Sequence, residues 1–380
     1  LLEALAPRVD AARGLLALGR TPGILSEDAL DKVRGLAADP ASAVRMTCAS
    51  ELRWLRDTDQ PLAWTMVEQL ARTDPSSLVQ RQLLRSLGVL AHIDRDRALD
   101  LAAEMHAREA DRPEPRVPLL ADIGGFLIEV SVWTGTSHGN AILDRMTADI
   151  AARQPETQQI LFRLREVTTV GEPGNLDDSQ AVRGRALRVF EQLLAAAVDA
   201  FDEIVDEALT PTRLDLDAGQ AQRFRAVAEM IDNVATEIYF ASGAHVDQSE
   251  ARRPRLEEPK RRRFYHEAAA LLDMLTRVRW PASAVHHVLK TLQEQVAFDP
   301  RGVLLRIGRL VRSARTWGYQ NDPLAHGAFV EIVQTYLTTH RKLLVDEQAR
   351  QALLDSLDAF VDAGWPAARR LVYRLDEAFR

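Results

Sequence analysis

The sequence is poor in several residue types, and each shortage excludes a class of protein. Only one of its 380 residues, Cys48, is a cysteine, so the chain cannot form an intramolecular disulfide and fits a reducing compartment. Its 19 glycines and 17 prolines are too few for a fibrous or disordered chain. We find no apolar run approaching the roughly 20 residues that span a bilayer, and no signal peptide. These shortages predict a cytoplasmic protein with no membrane partner.

Strand signals are also nearly absent. No alternation of Val, Ile and Thr bounded by turns is evident, and no Asn-Gly hairpin separates apolar runs. Long segments rich in Ala, Leu, Arg, Glu and Gln favour helix, because these side chains lose little rotamer freedom there. The sequence predicts an all-α protein. Its net charge of −7 argues against a surface that grips phosphate backbones throughout, although a local basic face is compatible with it.

Two segments of the chain repeat one pattern. Asp39-Pro40 recurs 35 residues later as Asp74-Pro75, and each pair precedes a ladder of apolar residues at helical spacing. An amphipathic helix is also predicted before each segment, so the unit is a helical hairpin that must stack on its neighbours to cover its apolar faces. We expect the proline to lie in the first helical turn and the aspartate to cap it. The side chains expected in the core are Val44, Cys48, Leu52, Leu55, Val79, Leu83, Leu87 and Leu90.

The first of these segments resembles a known repeat family. Asp39-Pro40-x-x-x-Val44-Arg45, followed by Ala49, Leu52 and Leu55, is similar to the second helix of a HEAT repeat; Gln80 replaces the arginine in the second copy. The resemblance covers residues 28–92. It implies an α-solenoid of stacked antiparallel helical hairpins with no sheet. Asp299-Pro300 and Asp322-Pro323 suggest that similar helix starts recur near the end of the chain.

Breaks in the apolar pattern suggest four regions. Residues 1–171 are predicted to form N-terminal HEAT-like repeats, and residues 176–241 a long helical hairpin. Residues 242–263 are polar and contain two prolines, so we expect a basic loop or linker there. Residues 264–380 are predicted to form C-terminal helical repeats.

No catalytic motif is evident in the sequence. The glycine-containing segment at 134–140 lacks the lysine of a P-loop, and no His or Cys spacing is typical of zinc. Acidic residues of one helical segment allow two interpretations, a carboxylate metal site or a solvated face: Asp199, Asp202, Glu203, Asp206 and Glu207. We expect the solvated face, no cofactor, no metal and no enzymatic activity in this chain.

A basic cluster is the main candidate for a binding site. It comprises Arg252, Arg253, Arg255, Lys260, Arg261, Arg262 and Arg263. Such a cluster on an acidic protein can contact an anionic partner, and the adjacent Phe264, Tyr265 and His266 could stack on a base. The alternative is a flexible loop that only aids solubility, and in either case removing its charges should leave stability almost unchanged. A second basic series, from Arg301 to Arg315, is expected to be mostly solvated.

The functional expectation is therefore about binding. The Arg- and Ala-rich composition and the segment "FDPRGVLLRIGRLVRSARTWGYQ" resemble C-terminal helical regions of large bacterial NTPase-linked proteins, including antiviral sensors. This resemblance implies a non-enzymatic sensor or scaffold region of a longer polypeptide, whose partner is a protein or another domain of that polypeptide. The alternative is a nucleic-acid-binding protein or DNA-acting enzyme with a basic face, as in HEAT-like DNA glycosylases. Those enzymes use tryptophans in their chemistry. Trp54 and Trp64 lie in the first repeats of this chain, but both fit an apolar helix face as core residues.

Overall fold

The computed structural model describes residues 2–168, 176–208, 216–245, 258–279, 281–315 and 317–379. These residues form 18 α-helices and three short 3-10 helices, and none of them lies in a β-strand. The prediction of an all-α protein is confirmed. The helices gather into two compact units, residues 1–144 and 145–380.

The first unit contains seven complete helices and the start of an eighth. They are α1 (Leu2–Leu18), α2 (Glu27–Leu36), α3 (Ser42–Glu51), α4 (Gln60–Thr73), α5 (Ser77–Leu90), α6 (Arg95–Ala110), α7 (Val117–Thr134) and α8 (Asn140–Ala148). Helix α3 packs against α1 and α5, α5 also packs against α7, and α4 packs against α6. Contacts between a helix and the next but one therefore recur along α1, α3, α5 and α7, and between α4 and α6.

The repeated apolar pattern forms the core of this unit. All eight side chains predicted to be buried are buried, among them Leu52 and Leu55 of the 3-10 helix that follows α3. Cys48 is fully buried, and burial raises the pKa of its thiol to about 12. It is therefore a small core residue without thiolate character at neutral pH. Trp64 is buried as well.

The two Asp-Pro pairs of this unit form turns that precede their helices. Helices α3 and α5 begin two residues after the prolines, and Asp39 and Asp74 each accept the backbone N–H two residues on. The expected capping role is thus replaced by a turn. Arg45 joins the two turns, because its guanidinium donates to the Asp39 carbonyl at 2.7 Å and to the buried Asp74 carboxylate at 2.6 Å. Gln80, the equivalent of Arg45, donates to the Asp74 carbonyl at 2.7 Å.

Helix α7 is long and apolar enough to cross a membrane by length and composition alone. Asp122 and Glu129 interrupt it, so in the sequence it reads as two shorter apolar runs. Sixty-one per cent of the helix is buried inside the protein, where it packs against α5 and α6. Packing within the first unit therefore accounts for its apolar composition.

The second unit contains the two longest helices that the structure describes, Leu176–Ala208 and Ala218–Ala241. Its helices are α9 (Gln154–Thr168), α10 (Leu176–Ala208), α11 (Ala218–Ala241), α12 (Glu258–Glu267), α13 (Ala269–Leu275), α14 (Ala282–Gln295), α15 (Pro300–Arg315), α16 (Pro323–Thr338), α17 (Glu347–Asp362) and α18 (Pro366–Phe379). One series of contacts runs from α9 through α11, α14 and α16 to α18. A second joins α10 to α13, and α15 packs closely against α17.

The helix starts expected at the two Asp-Pro pairs of this unit are confirmed. Pro300 and Pro323 are the first residues of α15 and α16, and the Asp299 carboxylate accepts the Gly302 N–H at 2.8 Å. Gly364 follows α17 with a positive φ of 84°, and Pro366 begins α18. A glycine with positive φ after a helix and a proline in the first turn of the next are typical ways in which helices end and begin.

Gly308 explains how α15 and α17 approach so closely. A Cβ atom added at this glycine would lie 2.8 Å from the Cβ atom of Ala352. Only the pairing of glycine with alanine lets the two backbones meet at this distance, since real side chains do not tolerate such an approach.

Candidate binding surface

The structure divides the predicted basic cluster. Arg252, Arg253 and Arg255 lie outside the described residues, whereas Lys260 to Arg263 belong to helix α12. We expected a loop as far as Arg263, but the chain is helical from Glu258 onwards. Pro259 stands at the second helical position, where the missing N–H has no helical partner to lose.

Helix α12 is held by the two aromatic residues that we expected to be available for stacking on a base. Phe264 and Tyr265 are buried, so that expectation is wrong for both, and His266 alone is exposed. The Tyr265 hydroxyl donates to the Asp299 carboxylate at 3.2 Å and accepts a hydrogen bond from Arg306. Burial is the main reason that the pKa of Tyr265 rises to about 12.

Arg261 also anchors the helix. Its side chain is only 14% exposed, its guanidinium pairs with Glu294 of α14 at 3.2 Å, and it lies 5.2 Å from the ring centroid of Phe298. At the end of the helix Glu267 pairs with Arg183 of α10, and both side chains are largely buried. Two ion pairs therefore connect α12 to the helices beneath it.

The other cations of α12 face outwards. Lys260, Arg262 and Arg263 are exposed, and Arg262 pairs with Glu258 one turn earlier at 3.0 Å. Arg263 forms no ion pair with any residue that the structure describes. The four successive cations thus differ in role because successive residues of a helix point in different directions.

We predict that Arg261 and Arg263 differ in their effect on stability. Arg261→Ala should lower the free energy of unfolding by about 1.5 kcal/mol, because it removes a shielded ion pair and the packing over Phe298. Arg263→Ala is the matched control and should stay within about 0.5 kcal/mol of wild type. Urea unfolding of the full chain measures both values. Equal effects of the two substitutions would contradict the distinction.

The arginines of the second basic series form more ion pairs than we expected. Each of its five arginines on α15 pairs with an aspartate of another element: Arg301–Asp346, Arg306–Asp273, Arg309–Asp273, Arg312–Asp355 and Arg315–Asp362. Four are substantially exposed and form the kind of surface pair that contributes little. Arg306 is only 12% exposed, so the expectation of a solvated side chain is wrong for this residue.

A polar groove runs across three helices of this region. It has a volume of about 820 Å³ and lies beside Glu294, the partner of Arg261. The C-terminal end of α11, one face of α14 and one face of α16 line it; the residues are Tyr239, Ala244, His245, Lys290, Gln293, Glu294, Glu331, Gln334, Thr335 and Thr338. The groove presents both hydrogen-bond donors and acceptors, which suits polar recognition.

A hydrogen-bonded triangle forms one wall of this groove. The Lys290 ammonium lies 3.2 Å from the Gln293 amide oxygen and 3.4 Å from the Glu331 carboxylate, and the Gln293 amide donates to that carboxylate at 2.9 Å. These contacts restrict long side chains of α14 and α16, so part of their conformational entropy is already lost in the folded chain.

One aromatic ring of the groove lining, that of Tyr239, is held by a second ring. Tyr239 stacks on His287 with ring centroids 5.0 Å apart, and the His287 Nδ1 atom lies 3.1 Å from the Thr236 hydroxyl. Burial, and secondarily the charge of Glu294, raises the pKa of Tyr239. This tyrosine therefore stays neutral and presents a hydroxyl in a partly apolar setting, an arrangement typical of interfaces.

Sequence reasoning did not find the groove, because its residues lie up to 99 positions apart and no one segment carries a motif. Within the described part of the chain, no three His, Cys, Asp or Glu side chains are grouped so that they could hold a metal ion. No protein-family model matches the chain, and no curated protein shows a significant sequence match to it. The surface therefore has to be interpreted from its own chemistry.

Proposed function

We propose that the chain is a HEAT-like α-solenoid without catalytic activity, which recognises a macromolecular partner as the scaffold or sensor region of a larger cytoplasmic, bacterial protein. The observation that carries this proposal is the packing of helices on the next but one, as in α1, α3, α5 and α7 of the first unit. Stacking of this kind is how helical repeats cover their apolar faces, and it leaves long polar surfaces available for binding. The Arg45 contacts between successive Asp-Pro turns support the same interpretation.

The preferred partner is a protein, and the preferred surface is the groove of α11, α14 and α16. Its lining mixes amides, hydroxyls and both charge signs, whereas a nucleic-acid surface would need a cationic excess. The ordered triangle of Lys290, Gln293 and Glu331 would provide rigid polar contacts at the centre of such an interface.

A charge exchange across the groove tests this function. The double variant Lys290→Glu with Glu331→Lys retains an ion pair but reverses both charges that a partner meets. The double variant Arg312→Asp with Asp355→Arg is the control, since it exchanges a comparable exposed pair elsewhere in the unit. Each protein is cross-linked in lysate of the native organism and its partners are quantified by mass spectrometry, with affinities then measured on purified proteins. We expect one partner to be retained by wild type and control but lost by the groove variant.

Retention of the same proteins by all three forms would contradict the proposed surface. Nucleotide or nucleic-acid turnover by the purified chain, abolished by a single substitution within it, would contradict the absence of catalysis.

Nucleic-acid binding remains the second proposal, favoured by the outward-facing Lys260, Arg262 and Arg263 of α12. It predicts that the affinity for DNA or RNA falls steeply with salt, and that Arg263→Glu reduces both the affinity and the salt slope. Fluorescence anisotropy with labelled single and double strands measures both. Binding that this substitution leaves unchanged would exclude α12 as the contact.

A further inference from the structure

A separate cavity lies where α16 ends and α17 begins. It has a volume of about 800 Å³, within the range of small-molecule sites, and is lined by residues 338–345 together with Arg350 of α17. The chain here turns through a 3-10 helix, Arg341–Val345. The titratable lining consists of His340, Arg341, Lys342 and Arg350, and none of the described residues that line the cavity is an aspartate or glutamate.

Two of these cations differ from the arginines of α15. Lys342 is exposed and Arg350 is half-buried, and neither forms an ion pair or side-chain hydrogen bond with another described residue. Two carboxylates lie near these cations along the chain. Asp346 is occupied: one oxygen accepts the Ala349 N–H at 2.9 Å and the other accepts Arg301 Nε at 2.9 Å. Glu347, three residues before Arg350, is exposed and forms no ion pair with a described residue. Uncompensated cations are therefore gathered in one concavity of a protein with a net charge of −7.

The remaining lining is apolar or hydroxylic. Val345 is 84% exposed, which is unusual for a valine, and Leu343 lies two residues before it in the same 3-10 helix. The Thr338 hydroxyl already donates to the Gln334 carbonyl at 2.8 Å and lies 3.4 Å from the Thr339 hydroxyl. The cavity thus combines a cationic side with an apolar one.

We propose that this cavity binds the phosphate group of a small organic phosphate. Arg350 would hold phosphate oxygens with its planar fork of N–H donors, and Lys342 would supply a second, mobile charge. Leu343 and Val345 would contact the organic part of the ligand. This site goes beyond the proposed function, because it shares only Thr338 with the lining of the groove and does not depend on the groove having a partner.

Titration of the full chain with pyrophosphate and with adenosine monophosphate tests the site, using calorimetry in a buffer free of phosphate and sulfate. We expect saturable binding, and the double variant Lys342→Gln with Arg350→Gln should bind about tenfold more weakly or worse. The control, Lys32→Gln with Arg277→Gln, removes the same charge from exposed positions elsewhere and should bind as wild type does. Val345→Glu is a second variant that leaves buried groups untouched and should also weaken binding, by repulsion.

A second experiment distinguishes a lipid headgroup from a soluble organic phosphate as the ligand. Sedimentation with phosphatidylcholine vesicles containing phosphatidic acid detects a lipid headgroup, whereas binding of the soluble phosphates alone indicates a free metabolite; either result supports the site if the cavity variants lose it. Absence of saturable binding of all three probes at about 10 mM phosphate would overturn the proposal. Equal losses in the cavity and control variants would also overturn it, because they would show that only net charge matters.

Discussion

Arg306→Gln should lower the free energy of unfolding of the second unit by about 2 kcal/mol, the scale of hydrogen bonds to a charged group. The Arg306 guanidinium donates to both Asp273 oxygens, at 3.0 and 3.1 Å, and also to the Tyr265 hydroxyl. Desolvation acts to raise the pKa of Asp273, but hydrogen bonds and charges from Arg306 and Arg309 outweigh it and hold that pKa below its usual range. Glutamine cannot replace the charge or the paired donors. Asp273, which is 39% exposed and keeps Arg309, loses its main partner, and the Tyr265 hydroxyl loses a donor.

Arg312→Gln on the same helix is the matched control. Arg312 is 66% exposed and pairs with Asp355 at 2.9 Å, so its loss should cost less than about 1 kcal/mol. Urea unfolding, combined with hydrogen exchange resolved by peptide, assigns each change to the second unit. A loss below about 1 kcal/mol for Arg306→Gln would show that this network is as weak as an exposed pair.

Leu52→Ala should destabilise the first unit by about 2–5 kcal/mol. Leu52 is fully buried at the start of the 3-10 helix that follows α3, where α3 and α5 pack. Truncation removes apolar contact area and leaves a cavity that close-packed helices fill only in part.

Leu78→Ala provides the comparison for this core position. Leu78 belongs to the neighbouring helix α5 but is 58% exposed, so the same substitution should change stability by about 0.5 kcal/mol or less. The denaturant midpoints of the two variants give the difference. Similar midpoints would mean that the apolar stripe does not carry the stability of this unit.

The helical class and the first core were predictable because their signals are local. Apolar residues three and four positions apart identify the buried face of a helix whatever its neighbours are, and Asp-Pro marks where a helix is about to begin. The position of each helix start was less predictable. Asp39 and Asp74 form turns two residues early, whereas Asp299 caps its helix directly, although all three precede a proline.

Helix α12 shows why local patterns fail. The segment with its four cations has no periodic apolar pattern, so it looks like a linker. In the structure Phe264 and Tyr265 are buried, and Arg261 pairs with Glu294, which lies 33 residues later. Tertiary contacts of this kind override weak intrinsic propensity. Glu258-Pro259 was the one local sign of a helix start. The ion pairs of the α15 arginines could not be predicted from local sequence either, because their aspartates lie 33–47 residues away.

The single buried thiol, Cys48, can report when the first unit opens. Thiol reagents attack the thiolate, and Cys48 is both enclosed and, with its pKa near 12, almost entirely protonated at neutral pH. Alkylation of this chain therefore counts the excursions in which the packing around α3 opens, with no other cysteine to confuse the signal. The labelling rate, followed by intact mass, therefore measures opening of the first unit alone. Opening that is confined to the second unit leaves this rate unchanged.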